Sequence, residues 1–207
     1  MSDSSLWRSQ LAAYIRAEAR PVDKYSHQPR LYALACQLAQ APEFAGAQPD
    51  DDILYAACWL HDLGVFISHR PEELAELAAW DNVAYAVARA PELLTGWGFP
   101  AAKIPAVQQA IAQHLPGASP DTLEALLLHD ADLLEQLGAI GLLRTISKVG
   151  RDSRYATFAD LLPVLQRASS LLDQLHTLAA RQAAEPRLAL LQHFLTALQA
   201  EAGDGPL

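Results

Sequence analysis

The sequence predicts an all-α protein. Leucine and alanine dominate it, and both favour helix. Runs of Val, Ile, Thr and aromatic residues that would build strands are scarce. Proline and glycine cut the chain into helix-length segments. Its 207 residues suffice for one good-sized core. No internal repeat, low-complexity segment or linker interrupts it. The expected organisation is one domain over residues 21–202. A helix within residues 1–20 packs on it, and residues 203–207 form a disordered tail.

The first helix is expected from about Ser4 to Ala19, capped by Ser4 or Ser5, with Leu6, Leu11, Tyr14 and Ile15 as its apolar stripe. Pro21 ends it. Ser26 is the expected cap of the second helix, which tolerates Pro29 in its first turn and opens with His27. A loop with Pro42, Gly46 and Pro49 follows. The central helix then runs from the acidic Asp50-Asp51-Asp52, which suits a helix N-terminus, through an apolar stretch to His61-Asp62. Gly64 is expected to close it in the left-handed conformation.

Helices are expected next over residues 72–80, 82–97 (interrupted by Pro91) and 101–114. His114 sits at the negative end of the last of these. Ser119 and Pro120 are expected to open another helix, which carries His129, Asp130 and Asp132 in an apolar setting. Aspartate is a poor helix-interior residue, so at least one of these two needs a partner. Gly138 and Gly141 suggest close backbone approach between helices. Arg144, Lys148, Arg151 and Arg154 read first as a solvated basic loop. Two amphipathic helices, over 158–183 and 186–202, complete the chain.

The formal net charge of −9 argues against general nucleic-acid binding, which needs basic surface. A small phosphorylated substrate stays open, because a divalent metal supplies local positive charge. No uncharged apolar run is long enough to span a bilayer, and no membrane association is expected. The N-terminus lacks a signal-peptide pattern. Cys36 and Cys58 read as buried thiols of a reducing compartment, so a cytoplasmic location is expected. Apolar helix faces leave an oligomer open.

The chemistry-bearing residues are His27, the His61-Asp62 doublet, His114 and Asp130. Two imidazoles and two carboxylates suit Mn, Fe, Co, Ni or Zn better than Ca. With His27, His61, Asp62 and Asp130 as ligands, a six-coordinate ion keeps two places, for water and a substrate oxygen. Such an ion acidifies water and polarises a phosphoryl group.

The order His … His-Asp … Asp resembles the HD-domain superfamily of metal-dependent phosphohydrolases. His27-Gln28-Pro29-Arg30-Leu31 resembles its His-x-x-Arg-Val motif. Residues 56–64, ending Leu60-His61-Asp62-Leu63-Gly64, resemble Ala-Ala-Leu-Leu-His-Asp-Ile-Gly. Residues 130–144 resemble the Asp-Ala-Asp-Arg-Leu-Asp … Gly-Ala-Ile-Gly block of a subgroup of small bacterial HD hydrolases. The resemblance implies a single helical bundle with the metal site between core helices. It also implies His27, His61, Asp62 and Asp130 as ligands to a divalent ion, Mg included. The substrate class it implies is a nucleotide or related small phosphate ester, cleaved by metal-activated water. His114 becomes a general acid or a donor to the phosphoryl or leaving-group oxygen, with ligation of a second metal as its alternative.

The sequence departs from the subgroup at Leu133, where Arg is usual, and at Asp160, near a common Lys. Those changes point to a different or less charged substrate. Two other readings follow from the same residues. One is a non-catalytic module that binds metal or nucleotide. The other is an HD-type di-iron oxygenase drawing on His69 and His114.

Overall fold

The computed structural model describes residues 3–151, 154–203 and 205, without the side chains of residues 3–5, 23 and 74. Ser4 and Ser5, the expected caps of the first helix, lie inside it and their side chains are outside the description, as are Asp204, Pro206 and Leu207 of the expected tail. Among the described residues all regular structure is helical: α1 Asp3–Glu18, α2 His27–Leu38, α3 Asp51–Leu60, α4 Leu74–Ala78, α5 Asn82–Gly96, α6 Ile104–Ala112, α7 Leu123–Glu135, α8 Gly138–Ile146, α9 Leu162–Ala168 and α10 Leu178–Ala202. Short 3-10 turns join them. None of these helices is long and apolar enough to cross a membrane.

The chain divides into two compact units, Met1–Ala131 and Asp132–Leu207. The division falls inside α7. That helix is unbroken from Leu123 to Glu135.

In the first unit α3 is the central element, packed by α1, α2 and α6, while α5 packs on α6. Leu54, Ala56, Ala57, Cys58, Trp59 and Leu60 are all buried, so α3 is wrapped along most of its length. Asp50 caps it, accepting from the Asp52 N–H at 3.1 Å and the Ile53 N–H at 3.3 Å. The same acidic end ties down its neighbours. Arg8 of α1 reaches Asp51 at 2.8 Å and Asp52 at 2.7 Å. Lys103 reaches Asp50 at 2.8 Å and Asp52 at 2.9 Å.

The second unit has a small core of Leu142, Leu165 and Leu191, with Ala168, Phe194 and Leu195 against it. Gly138 adopts a positive φ of 70° and lies against Arg187 of α10. A Cβ there would stand 3.1 Å from the Arg187 side chain. Gly141 fits against the Gln136 carbonyl. The close approach expected of these two glycines is therefore to one helix and to one local turn.

Several boundaries differ from the sequence expectation. Ser26 does not cap α2 through its side chain, because the Val22–Ser26 turn runs straight into the helix and the His27 N–H already bonds to the Lys24 carbonyl. Pro91 does not interrupt α5. α7 starts at Leu123 rather than at Pro120, and the Thr122 hydroxyl accepts from the Ala125 N–H at 3.3 Å. The expected break before Pro186 falls earlier. Thr177, buried, caps α10 by accepting from the Ala180 N–H at 3.0 Å, and the helix continues through Pro186. Burial of Ala184, Leu188 and Leu191 holds the helix across the lost backbone bond.

The α3 anchor has a pH signature. Partial burial would raise the Asp52 carboxyl pKa. Hydrogen bonds from Lys103 and Arg8 outweigh it and leave the pKa below its ordinary value. A depressed carboxyl contributes stability above the unfolded pKa of about 3.9 and loses it as pH falls through the folded value. Asp52→Asn is therefore expected to lower stability by up to about 1 kcal/mol at pH 7 in urea unfolding. The gap from wild type should close below about pH 4.

Candidate metal centre

His27 is the first residue of α2, and its ring is buried with 3 % exposure. His61 follows the last residue of α3, and its N–H still bonds the Ala57 carbonyl at 3.0 Å. Asp62 then leaves the helical path, at φ −94° and ψ 10°, into the Leu63–Val65 turn. The end of α3 thus presents two adjacent ligand-type side chains toward the start of α2.

The His61 Nδ1 lies 3.0 Å from the Cys58 carbonyl oxygen. A carbonyl only accepts, so Nδ1 carries the proton and donates, and Nε2 keeps its lone pair. That nitrogen faces the His27 Nε2 at 3.2 Å. The Asp62 carboxylate oxygens approach the two Nε2 atoms at 3.7 Å each.

His27, His61 and Asp132 each offer a ligand atom within 4.8 Å of one another, and all three are buried. Buried carboxylate and imidazole groups this close carry a desolvation cost that a cation offsets. Two nitrogens about 2.1 Å from one ion stand roughly 3.0–3.4 Å apart at ordinary coordination angles. The observed separation fits. A proton donated from His61 Nδ1 to a backbone carbonyl is also the usual arrangement behind a ligating imidazole. This donor set could hold a divalent metal.

Asp130, the α7 ligand expected from the sequence, lies two residues before Asp132 on the same helix. Two helical residues are turned about 200° apart, so the two aspartates leave α7 on nearly opposite sides. Asp130 is fully buried, and its Oδ1 lies 3.0 Å from the His129 Nδ1. The apolar pattern could not choose between them, because α7 is buried all round from Leu127 to Glu135.

His114 lies just past the end of α6 and is 2 % exposed. Its Nδ1 donates to the Ile111 carbonyl at 2.6 Å, and its ring meets the His61 ring edge-on at 5.0 Å. His27, His61, Asp62 and His114 therefore come together within the first unit. His69 is held elsewhere, by Glu18 and Tyr85. Leu133 is fully buried. The Asp160 carboxylate accepts from the Ala156 and Thr157 N–H groups and the Thr157 hydroxyl.

The sequence model of the HD domain matches residues 25–137, more than half of the chain and all of the residues gathered here. The chain belongs to the HD domain family. Solved structures of bacterial proteins share its fold. YpgQ of Bacillus subtilis aligns with a TM-score of 0.72 at 18 % identity, over 98 % of this chain and 99 % of that one. The same protein in complex with ADP gives 0.69 at 22 % identity, over 98 % of each chain. An HD-superfamily hydrolase of Bacillus thuringiensis gives 0.68 at 20 % identity, over 96 % of this chain and 97 % of that one. No curated protein matches by sequence.

In this HD domain the glycine after the doublet has a different role from the one its position suggests. Gly64 is not left-handed. It sits against the start of α5, where a Cβ would lie 2.4 Å from the Asn82 carbonyl oxygen and 2.7 Å from its Cα. The Trp80 indole N–H donates to the Gly64 carbonyl at 2.8 Å. The glycine is required by close backbone approach two residues from Asp62. Gly64→Ala is expected to cost at least the roughly 1–3 kcal/mol of an overpacked site. A lowered thermal midpoint, with weaker metal binding in the folded fraction, would show it.

Proposed function

We propose that this chain is a metal-dependent phosphohydrolase that acts on a nucleotide or a related small phosphate ester. The observation that carries the reading is the buried pair of imidazole nitrogens 3.2 Å apart, with the His61 tautomer set by the Cys58 carbonyl. Carboxylates of Asp62 and Asp132 stand beside the pair. His27, His61 and Asp62 are the proposed ligands, completed from α7 by Asp130, as the family resemblance implies, or by Asp132, whose carboxylate stands near the histidine pair. The ADP held by YpgQ supports a nucleotide as the substrate class.

When bound, the metal acidifies a water molecule and draws charge from a phosphoryl oxygen. The chain's own residues do the rest. His27 and His61 present neutral nitrogens from two helices, so the site is built only when α2 and α3 are docked. Asp62 is part-exposed, with 19 % of its side chain accessible, and forms the solvent side of the site. The proton on His114 Nδ1 is committed to the Ile111 carbonyl, which leaves Nε2 to hold a proton and pass it to the leaving oxygen. Neither Leu133 nor Asp160 offers a cation to a phosphate chain, which favours a less charged substrate than the subgroup's.

The test is a hydrolysis screen on metal-stripped protein. It is resupplied with Mn²⁺, Co²⁺, Ni²⁺, Fe²⁺, Zn²⁺ or Mg²⁺ and given nucleoside mono- and triphosphates and simple esters. Phosphate and pyrophosphate are read separately. Metal-dependent turnover is expected. Asp62→Ala should lose more metal affinity than the roughly 10–100-fold that an outer-shell partner is worth, and of Asp130→Asn and Asp132→Asn the variant with a loss of that size marks the α7 ligand. His114→Gln should keep the metal and lose about 10²–10⁴-fold in kcat. No turnover from metal-loaded protein, or full activity of Asp62→Ala, would overturn the proposal.

A further inference from the structure

His69 follows the ligand doublet by seven residues and is not part of the metal cluster, yet only 8 % of its side chain is exposed. Its Nδ1 lies 2.8 Å from the Tyr85 hydroxyl of α5. Its Nε2 faces the Glu18 carboxylate of α1 at 3.2 Å, off the line of an ideal hydrogen bond. The adjacent Ser68 hydroxyl donates to the same Glu18 carboxylate at 2.8 Å. Rings of Tyr14, Phe66 and Tyr85 surround the imidazole, with centroids 6.2, 6.3 and 5.6 Å away.

Burial lowers the His69 pKa. The neighbouring Glu18 carboxylate opposes this, and the Arg89 charge adds to it. A neutral imidazole has one donor and one acceptor. Glu18 is an acceptor, so Nε2 carries the proton, and the Tyr85 hydroxyl donates to Nδ1. The ring joins one helix to another through the segment that begins at Asp62. That segment leaves His61, which is still on the α3 hydrogen-bond ladder, and is held at two further points: the Gly64 carbonyl takes the Trp80 indole proton, and His69 spans Glu18 and Tyr85.

We infer that His69 is a positioning residue for Asp62: with Glu18 and Tyr85 it fixes the far end of the segment whose near end is the ligand carboxylate. This rests on the metal-site reading above. A strut at this distance acts on the angle at which Asp62 meets the ion, without touching the ion or the substrate.

The test is Co²⁺ titration of metal-stripped, full-length protein, read by affinity and by the visible absorption bands of the bound ion. Those bands report ligand geometry and are insensitive to a loss of overall stability. Wild-type protein is expected to bind Co²⁺ with a defined spectrum. His69→Phe keeps a ring and removes both polar contacts. It should weaken Co²⁺ binding about tenfold, the low end for groups that orient ligands, and alter the bands. His69→Gln, which can still donate to Glu18, should recover most of both. A folded His69→Phe protein with wild-type affinity and bands would overturn the inference and leave the metal site standing. Wild-type protein that binds no Co²⁺ would overturn the metal site and the inference together. If His69→Phe does not fold, Tyr85→Phe carries the same test: a shifted spectrum supports the strut, and an unchanged one removes it.

Discussion

The interaction on which this structure turns is the approach of two imidazole nitrogens, His27 Nε2 and His61 Nε2, to 3.2 Å in a buried site. The Cys58 carbonyl takes the other His61 proton, so His61 brings a lone pair rather than a donor to the meeting. Carboxylates of Asp62 and Asp132 add negative charge. Imidazoles and carboxylates gathered this closely in a largely buried site carry a desolvation cost that a cation would offset. The start of α2 and the end of α3 must therefore be held together by contacts made elsewhere, and much of the first unit serves that purpose.

Those contacts are of two kinds. Apolar burial along α3, from Leu54 to Leu60, seats the helix among α1, α2 and α6. This is the larger contribution, at about 25 cal/mol per Å² of buried apolar surface. The ion pairs at its acidic end involve part-exposed side chains and are individually small. Their value is directional. Arg8 and Lys103 approach Asp50, Asp51 and Asp52 from two other elements, which fixes where the helix begins and so where its tenth residue ends. Beyond Asp62 the Gly64 contact with Asn82 does similar work, since no side chain fits between the two backbones.

Much of the fold was legible in the sequence. α1, α3 and α5 lie within a residue or two of the expected spans, and α2 opens at His27 as expected, because each couples an apolar periodicity to clear end signals. The misplaced boundaries share a cause. Pro91 and Pro186 read as breakers, but burial of one face carried both helices past them. Ser26 and Ser119 read as caps, but a preceding 3-10 turn served α2, and Thr122 served α7. Local propensity is a weak prior where tertiary packing decides. At the site, His27, His61, Asp62 and His114 were visible as ligand-type residues at helix ends. On α7 the family pattern singled out Asp130, whereas the apolar pattern gives no means of separating it from Asp132, since both sides of the helix are buried.

The sequence by itself determined the helical class, the site-forming doublet and the family pattern, because these depend on residue type and on spacing along one chain. Tertiary structure alone decided two further matters. It assigned Gly64 to a close contact rather than a left-handed turn, which requires knowing where α5 begins. It gave His69 its partners, since Glu18 and Tyr85 stand 51 and 16 residues away along the chain. Each depends on the direction of a side chain relative to a distant backbone, which spacing along one chain does not encode.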